Sequence, residues 1–136
     1  MLTDVIDDLA CVVCGGAVSA AGGSVRCEAG HSFDVARQGY VTLTAGAGDS
    51  AEMVAAREAF LGAGHYRPIT EAVARHVDPA GPVVDLGAGT GHHLAGVLAH
   101  EQAGLALDSS KHALRRAARA HPRIGAVGAD AWGPLP

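Results

Sequence analysis

Cys11, Cys14, Cys27 and His31 stand at the spacing C-x2-C-x12-C-x3-H and use every one of the 3 cysteines in the chain. Thiolates and imidazoles in two close pairs on two turns can converge on one tetrahedral zinc ion. Sulfur would then lie at roughly 2.3 Å and nitrogen at roughly 2.0–2.1 Å from the metal. Gly15 and Gly16 follow the first pair and Gly30 lies inside the second, where backbone must fold back on the ligands. A segment of some thirty residues with few large apolar side chains does not hold itself folded, so an ion is the expected organiser. All four positions are filled by protein, which marks a structural site without an open coordination position.

The second constellation is Asp85, Gly87, Ala88, Gly89, Thr90 and Gly91, followed by His92, His93 and Leu94. An apolar strand, Val83-Val84-Asp85-Leu86, runs into a glycine-rich turn and a helix begins directly after it. Such a turn binds ligands at the carboxyl end of the strand, with close backbone approach and helix amides pointing outward. A dinucleotide fingerprint would place its third glycine at position 92, where His92 stands instead. Asp108, at the end of the next strand, can accept hydrogen bonds from both hydroxyls of a ribose. The alternative is an N-cap for the following helix, a role open to Ser109 or Ser110.

Both constellations need elements to position them. Residues 9–44 read as a β-rich metal module, with Ser32-Phe33-Asp34-Val35 as one strand and Gly39-Tyr40-Val41-Thr42-Leu43 as another. Ala45-Gly46-Ala47-Gly48 reads as a hinge. The expected organisation is a metal module over residues 1–46, a helical linker region over 47–82 and a cofactor-binding part over 83–136. In the linker, Asp49 or Ser50 caps a helix over about 51–62. Pro68 starts a second helix with Ile69, Ala72, Val73 and Val77 on one face. Then the pattern becomes βαβαβ: strand 83–86, helix from Thr90 to about His100, strand 105–108, helix to about Ala120, strand 124–129. Alternation of this length implies a parallel sheet with right-handed crossovers. A doubly wound sheet normally continues beyond its third strand. The expectation is therefore an α/β chain in which the cofactor domain is incomplete, leaving strand 83–86 at an open edge through which copies could pair as a dimer or aggregate.

Composition excludes several classes. A net charge of -4 with 18% charged residues does not suit a protein that coats nucleic acid by bulk charge. The start MLTDVIDDLA lacks a basic-then-apolar leader, and no apolar run approaches membrane-helix length. Reduced, metal-binding cysteines suit the cytoplasm. Locally, Lys111, Arg115, Arg116, Arg119 and Arg123 stand without an intervening acid. Lys111, Arg115 and Arg119 share a helical face, either as a phosphate-contacting stripe or as a solvated one. Arg26, Arg37 and Tyr40 are further candidates for RNA contact, with a plain surface role as the alternative.

The order strand, acid, x, Gly-x-Gly-x-Gly resembles the first motif of class I S-adenosylmethionine-dependent methyltransferases. That resemblance implies an acid near the adenine amino group after the third strand, which falls on Asp130, with Ala131 and Trp132 beside it. A loop aspartate is the alternative. The wider set is more specific. The cysteine–histidine pattern, Phe33-Asp34, Gly39-Tyr40-Val41, Gly48-Asp49-Ser50-Ala51-Glu52-Met53, Arg57-Glu58-Ala59-Phe60-Leu61 and Gly64-His65-Tyr66, followed by the glycine motif, resembles the bacterial 23S rRNA (guanine-N1)-methyltransferases. Gly91-His92-His93-Leu94 and the run 113–122 lie nearer the macrolide- and tylosin-resistance branch. The resemblance implies a zinc ribbon that recognises a hairpin of large-subunit rRNA, and a Rossmann-like domain that binds S-adenosylmethionine. It assigns Asp85, Gly87, Ala88, Gly89, Thr90, Gly91, His92, His93, Leu94, Asp108, Asp130 and Ala131 to the cofactor. No residue stands out as a general base; His65, His92 and His93 read as packing or surface side chains. A non-catalytic zinc-dependent RNA-binding or dimerisation fragment is the alternative.

Overall fold

The computed structural model describes residues 1–43, 48–99 and 101–136. Gly22 and Gly23, with φ of 53° and 90°, turn the chain between β1 (Val18–Ala21) and β2 (Ser24–Cys27). β2 pairs with β3 (Ser32–Asp34), completing an antiparallel sheet of order β1-β2-β3. The sequence pattern locates β3 but not the β1–β2 hairpin. Its strands are short and rich in Ser and Ala, without the run of branched residues that marks a strand.

β4 (Tyr40–Thr42) departs from expectation. The sequence pattern groups it with the metal module, yet it lies parallel to β7 (Ile124–Gly128), with Val41 opposite Val127. Only a single bridge, Val35 to Val41, ties it back to the module. The reason is burial. Val41 is fully buried between the two parts and Tyr40 packs with Leu114 and Ala126, so pairing with β7 buries these two residues on opposite faces while Thr42 stays exposed. Tyr40 is thereby 8% exposed, which removes it from the RNA-contact candidates.

The larger sheet runs β4-β7-β6-β5, all parallel, where β5 is Val83–Leu86 and β6 is Gly104–Asp108. Helices α3 (His92–Val97) and α4 (Lys111–Ala120) make the crossovers. The order β7-β6-β5 is the expected one, and among the described residues β5 pairs with β6 alone. Val84 and Leu86 on that edge are 57% and 50% exposed. Upstream, α1 (Ala51–Gly62) is capped by Ser50, whose Oγ accepts the Met53 amide at 3.3 Å. α2 (Arg67–Ala74) follows, and its expected apolar face is open: Ile69 and Val73 are about half exposed, and Thr70 is its buried residue. α3 starts two residues later than expected, because Gly91 takes a left-handed conformation as its N-cap. The expected helix end at His100 and the hinge residues 45–47 lie outside the described residues.

One hydrophobic cluster spans both sheets. Val5, Ile6 and Leu9, carried by two 3-10 turns at Leu2–Asp4 and Ile6–Asp8, pack with Cys11, Val25 and Cys27 and with Leu105, Leu107 and Val127. The apolar residues of the acidic start thus cover the larger sheet. A second cluster fills the face under α3 and α4.

Candidate functional site

The metal candidates sit on two turns. Cys11 begins a turn closed by the Gly15 amide donating to the Cys11 carbonyl at 2.7 Å. Cys27 ends β2, and the Gly30 amide returns to its carbonyl at 3.0 Å. These two turns bring the four donor atoms of Cys11, Cys14, Cys27 and His31 within 4.8 Å of one another. Cys14 Sγ lies 3.7 Å from Cys27 Sγ, and His31 Nδ1 lies 3.3 Å from Cys27 Sγ and 3.6 Å from Cys11 Sγ. A tetrahedral ion with zinc-like bond lengths needs edges of about 3.8 Å between sulfurs and about 3.6 Å between sulfur and nitrogen. The cluster therefore fits such an ion through Nδ1 of the histidine. Burial raises the Cys11 thiol, but the amides of Val13 and Cys14 and the thiols of Cys14 and Cys27 outweigh it and bring it down to about 6. A thiolate is the metal-binding form.

In the larger sheet, β5 delivers the glycine turn. Its geometry is set from within. The amides of Gly87 and Ala88 both donate to the Leu107 carbonyl, at 2.8 and 3.0 Å, and the Gly91 amide donates to the Ala88 carbonyl at 2.9 Å. Gly89 donates to Asp108 Oδ2 at 2.8 Å, while Asp108 Oδ1 accepts the Ser110 amide at 2.8 Å. These four amides are therefore spent within the protein. Asp108 is a brace for the turn, and Ser110 caps α4 by accepting the Ala113 amide at 3.3 Å. Each Asp108 oxygen keeps a further lone pair for a ligand hydroxyl. The Ala129 amide donates to the Asp108 carbonyl at 3.1 Å, which sets the end of β7 beside it.

A cavity of about 370 Å³ opens against the turn, lined by Gly87, Ala88, Gly89, Thr90, His92 and His93 and, from α1 and the following turn, by Arg57, Phe60, Leu61 and Tyr66. The last four were not picked out as site residues from the sequence. Phe60 and Tyr66 meet edge to face with centroids 5.1 Å apart, and Tyr66 stacks on His93 at 6.5 Å. His93 Nδ1 is 2.7 Å from Thr70 Oγ1, which fixes the ring from α2. The wall is thus aromatic and continuous, suited to a flat or cationic ligand group. Asp85 is half-buried. Burial raises its carboxyl above the ordinary value, with His93 opposing and Asp108 reinforcing the rise.

Other expected residues lie elsewhere. Gly91 is buried against α4: a Cβ there would lie 3.0 Å from Ala117 Cα. Leu94 is 1% exposed in the core beneath α3, so its side chain does not reach the cavity. Both positions serve packing. Asp130 and Ala131 are exposed past the end of β7. Asp130 Oδ1 accepts the Trp132 amide at 3.0 Å, and the Trp132 ring is 97% exposed, flanking nothing. On α4, Lys111 and Arg119 are exposed and Arg115 is half-buried, while Arg116 pairs with Glu58 of α1 at 3.3 Å. Arg26 and Arg37 are exposed on the metal module.

A family model for the N-terminal zinc ribbon of RlmA matches residues 9–44. A protein of Micromonospora griseorubida assigned as a 23S rRNA (guanine-N(1)-)-methyltransferase is 50% identical, with 100% of this chain and 56% of the relative aligned. The 23S rRNA (guanine(748)-N(1))-methyltransferase of Streptomyces fradiae is also 50% identical, over 100% of this chain and 53% of its own length. YxjB of Bacillus subtilis, assigned to the same activity, is 32% identical over 81% of this chain and 45% of its own. The chain spans about half the length of the curated relatives it matches. Metal ribbon, glycine turn and sequence identity agree: over its whole length the chain is similar to 23S rRNA (guanine-N1)-methyltransferases, and residues 9–44 match the RlmA zinc ribbon.

Proposed function

We propose that this chain provides the zinc ribbon and much of the S-adenosylmethionine site of an enzyme that methylates N1 of a guanine in 23S rRNA, in a hairpin of that RNA. The observation that carries the reading is the pairing of a Cys3His cluster with an Asp108-braced glycine turn, in a chain 50% identical to relatives bearing that activity in their names. The residues fit the cofactor. Asp108 offers acceptors for ribose hydroxyls, Asp85 stands on β5 two residues before the turn, and Phe60, Tyr66 and His93 wall the cavity where a sulfonium would sit. S-adenosylmethionine supplies an electrophilic methyl group, and what the protein must add is in-line positioning of the guanine nitrogen. Exposed Arg26 and Arg37 on the ribbon, with Lys111 and Arg119 on α4, are the candidate phosphate contacts.

The finer parts of this reading are a cytoplasmic location, protection against macrolides and association of copies through β5. Among the described residues no helix is long and apolar enough to cross a membrane. The test is transfer of labelled methyl from S-adenosylmethionine to 23S rRNA, with the product mapped by the reverse-transcription stop that a blocked guanine N1 causes. Transfer to guanine N1 is expected of the enzyme. Cofactor binding without RNA binding or transfer would overturn the substrate assignment. One other reading is a zinc-dependent RNA-binding unit without catalysis of its own, for which the Cys3His cluster alone would suffice. Zinc and RNA bound together, with S-adenosylmethionine ignored, would decide for it.

A further inference from the structure

The glycine turn leaves a cofactor with one unmet need. The amino-acid end of S-adenosylmethionine carries an α-carboxylate, and in a site of this class the first donors to consider are loop amides. Here the amides of Gly87, Ala88, Gly89 and Gly91 are already committed to Leu107, Asp108 and Ala88. A charged donor beside the turn is better placed to meet the anion than these four amides.

We propose that Arg57 recognises the α-carboxylate of the cofactor's methionine end, an assignment that rests on the S-adenosylmethionine reading above. Arg57 reaches over the turn from α1: its Nη1 and Cδ lie 3.6 and 3.7 Å from the position a Cβ on Gly89 would occupy. It lines the cavity, and no acid shares that lining. Its guanidinium is held in place by Asp49, with Nη1 2.9 Å from Oδ2. Asp49 is anchored in turn, since the Ser110 hydroxyl donates to its backbone carbonyl at 2.8 Å. The arginine is therefore tied through Asp49 to the same N-cap whose amide binds Asp108. One brace serves both ends of the ligand: Asp108 for the ribose, Arg57 for the carboxylate. A guanidinium has five donors and one carboxylate engages at most two, so Asp49 leaves donors free to face the cavity. Arg57 is a binding and positioning residue. By fixing the amino-acid end it sets where the methyl group points.

The test is calorimetric titration of the wild-type chain and of Arg57→Ala and Arg57→Lys with S-adenosylmethionine and with its decarboxylated analogue, which keeps the sulfonium and the amine. Arg57→Ala is expected to weaken S-adenosylmethionine roughly ten- to hundredfold, the range for losing a hydrogen bond to a charged group. It should leave the decarboxylated analogue unchanged, and Arg57→Lys should restore part of the loss. The thermal midpoint, measured alongside, should stay within a few degrees of wild type, because the side chain is half exposed. An equal loss for both ligands, or no loss for either, overturns the assignment. So does a variant that keeps S-adenosylmethionine affinity but loses RNA. If wild-type protein binds neither ligand, the cofactor reading itself falls and takes this one with it.

Discussion

Asp108 joins two amides, Gly89 and Ser110, that belong to different crossovers. Asp108→Ala strands both donors, so a loss of about 1–3 kcal/mol in stability is expected, along with weaker S-adenosylmethionine binding. Urea titration and calorimetry on the same preparation check it, and unchanged values in both would mean that the brace is idle. Asp85 behaves differently. Because its folded pKa is raised, it favours the native state below the ordinary value of 3.8 and loses that contribution as pH rises through the folded value. At neutral pH its charge opposes folding. Asp85→Asn should therefore raise the thermal midpoint near pH 7, with the gain vanishing below pH 3.8, while weakening the cofactor. Thermal scans across pH measure it; a drop in midpoint at pH 7 would refute the sign. The metal ligands were legible because each pair is local in sequence. Arg57, Phe60 and Tyr66 were not, since only the packing of α1 and its following turn brings them to a glycine turn about twenty to thirty residues later.

At the scale of elements, α3 and α4 can cross closely because Gly91 has no side chain. Its φ of 74° and the 3.0 Å separation between an added Cβ and Ala117 Cα both resist substitution. Gly91→Ala should cost about 1–3 kcal/mol, seen as an earlier denaturant midpoint with an unchanged slope. Gly89→Ala should cost less stability and more cofactor, because the added methyl meets the Arg57 side chain rather than the core. Calorimetry beside denaturation separates them. The βαβαβ order followed from alternation of apolar runs with helix caps, while the β7-β6-β5 sequence of strands was implied by the resemblance to methyltransferases. The partner of β4 did not, because a short alternating strand carries no mark of which neighbour will hide its faces. α2 likewise shows that a stripe of apolar residues at helical spacing states an orientation without stating a burial: Ile69 and Val73 remain open.

For the whole molecule, the decisive feature is that Cys11 and Cys27 lie in the same cluster as Leu105, Leu107 and Val127. Loss of the ion should be felt in both sheets. Cys14→Ser, or treatment with a strong chelator, is expected to release about one equivalent of zinc and to speed amide exchange in β6 and β7 as well as in β1–β3, with S-adenosylmethionine affinity falling too. Hydrogen exchange with and without chelator decides it. Loss of protection confined to the ribbon would mean that the two sheets fold independently. The position of β4 carries the same point into evolution and engineering. The ribbon with the strand after it looks like a cassette that relatives could trade to change which RNA they visit. Yet any exchange joined at residues 44–47 would import a foreign strand onto β7 and foreign side chains over Leu105 and Val127. A workable chimera must cut between the Val35 bridge and Tyr40, so that the host keeps β4, and must also preserve the apolar residues at positions 5, 6, 9 and 25 that pack on Leu105 and Val127.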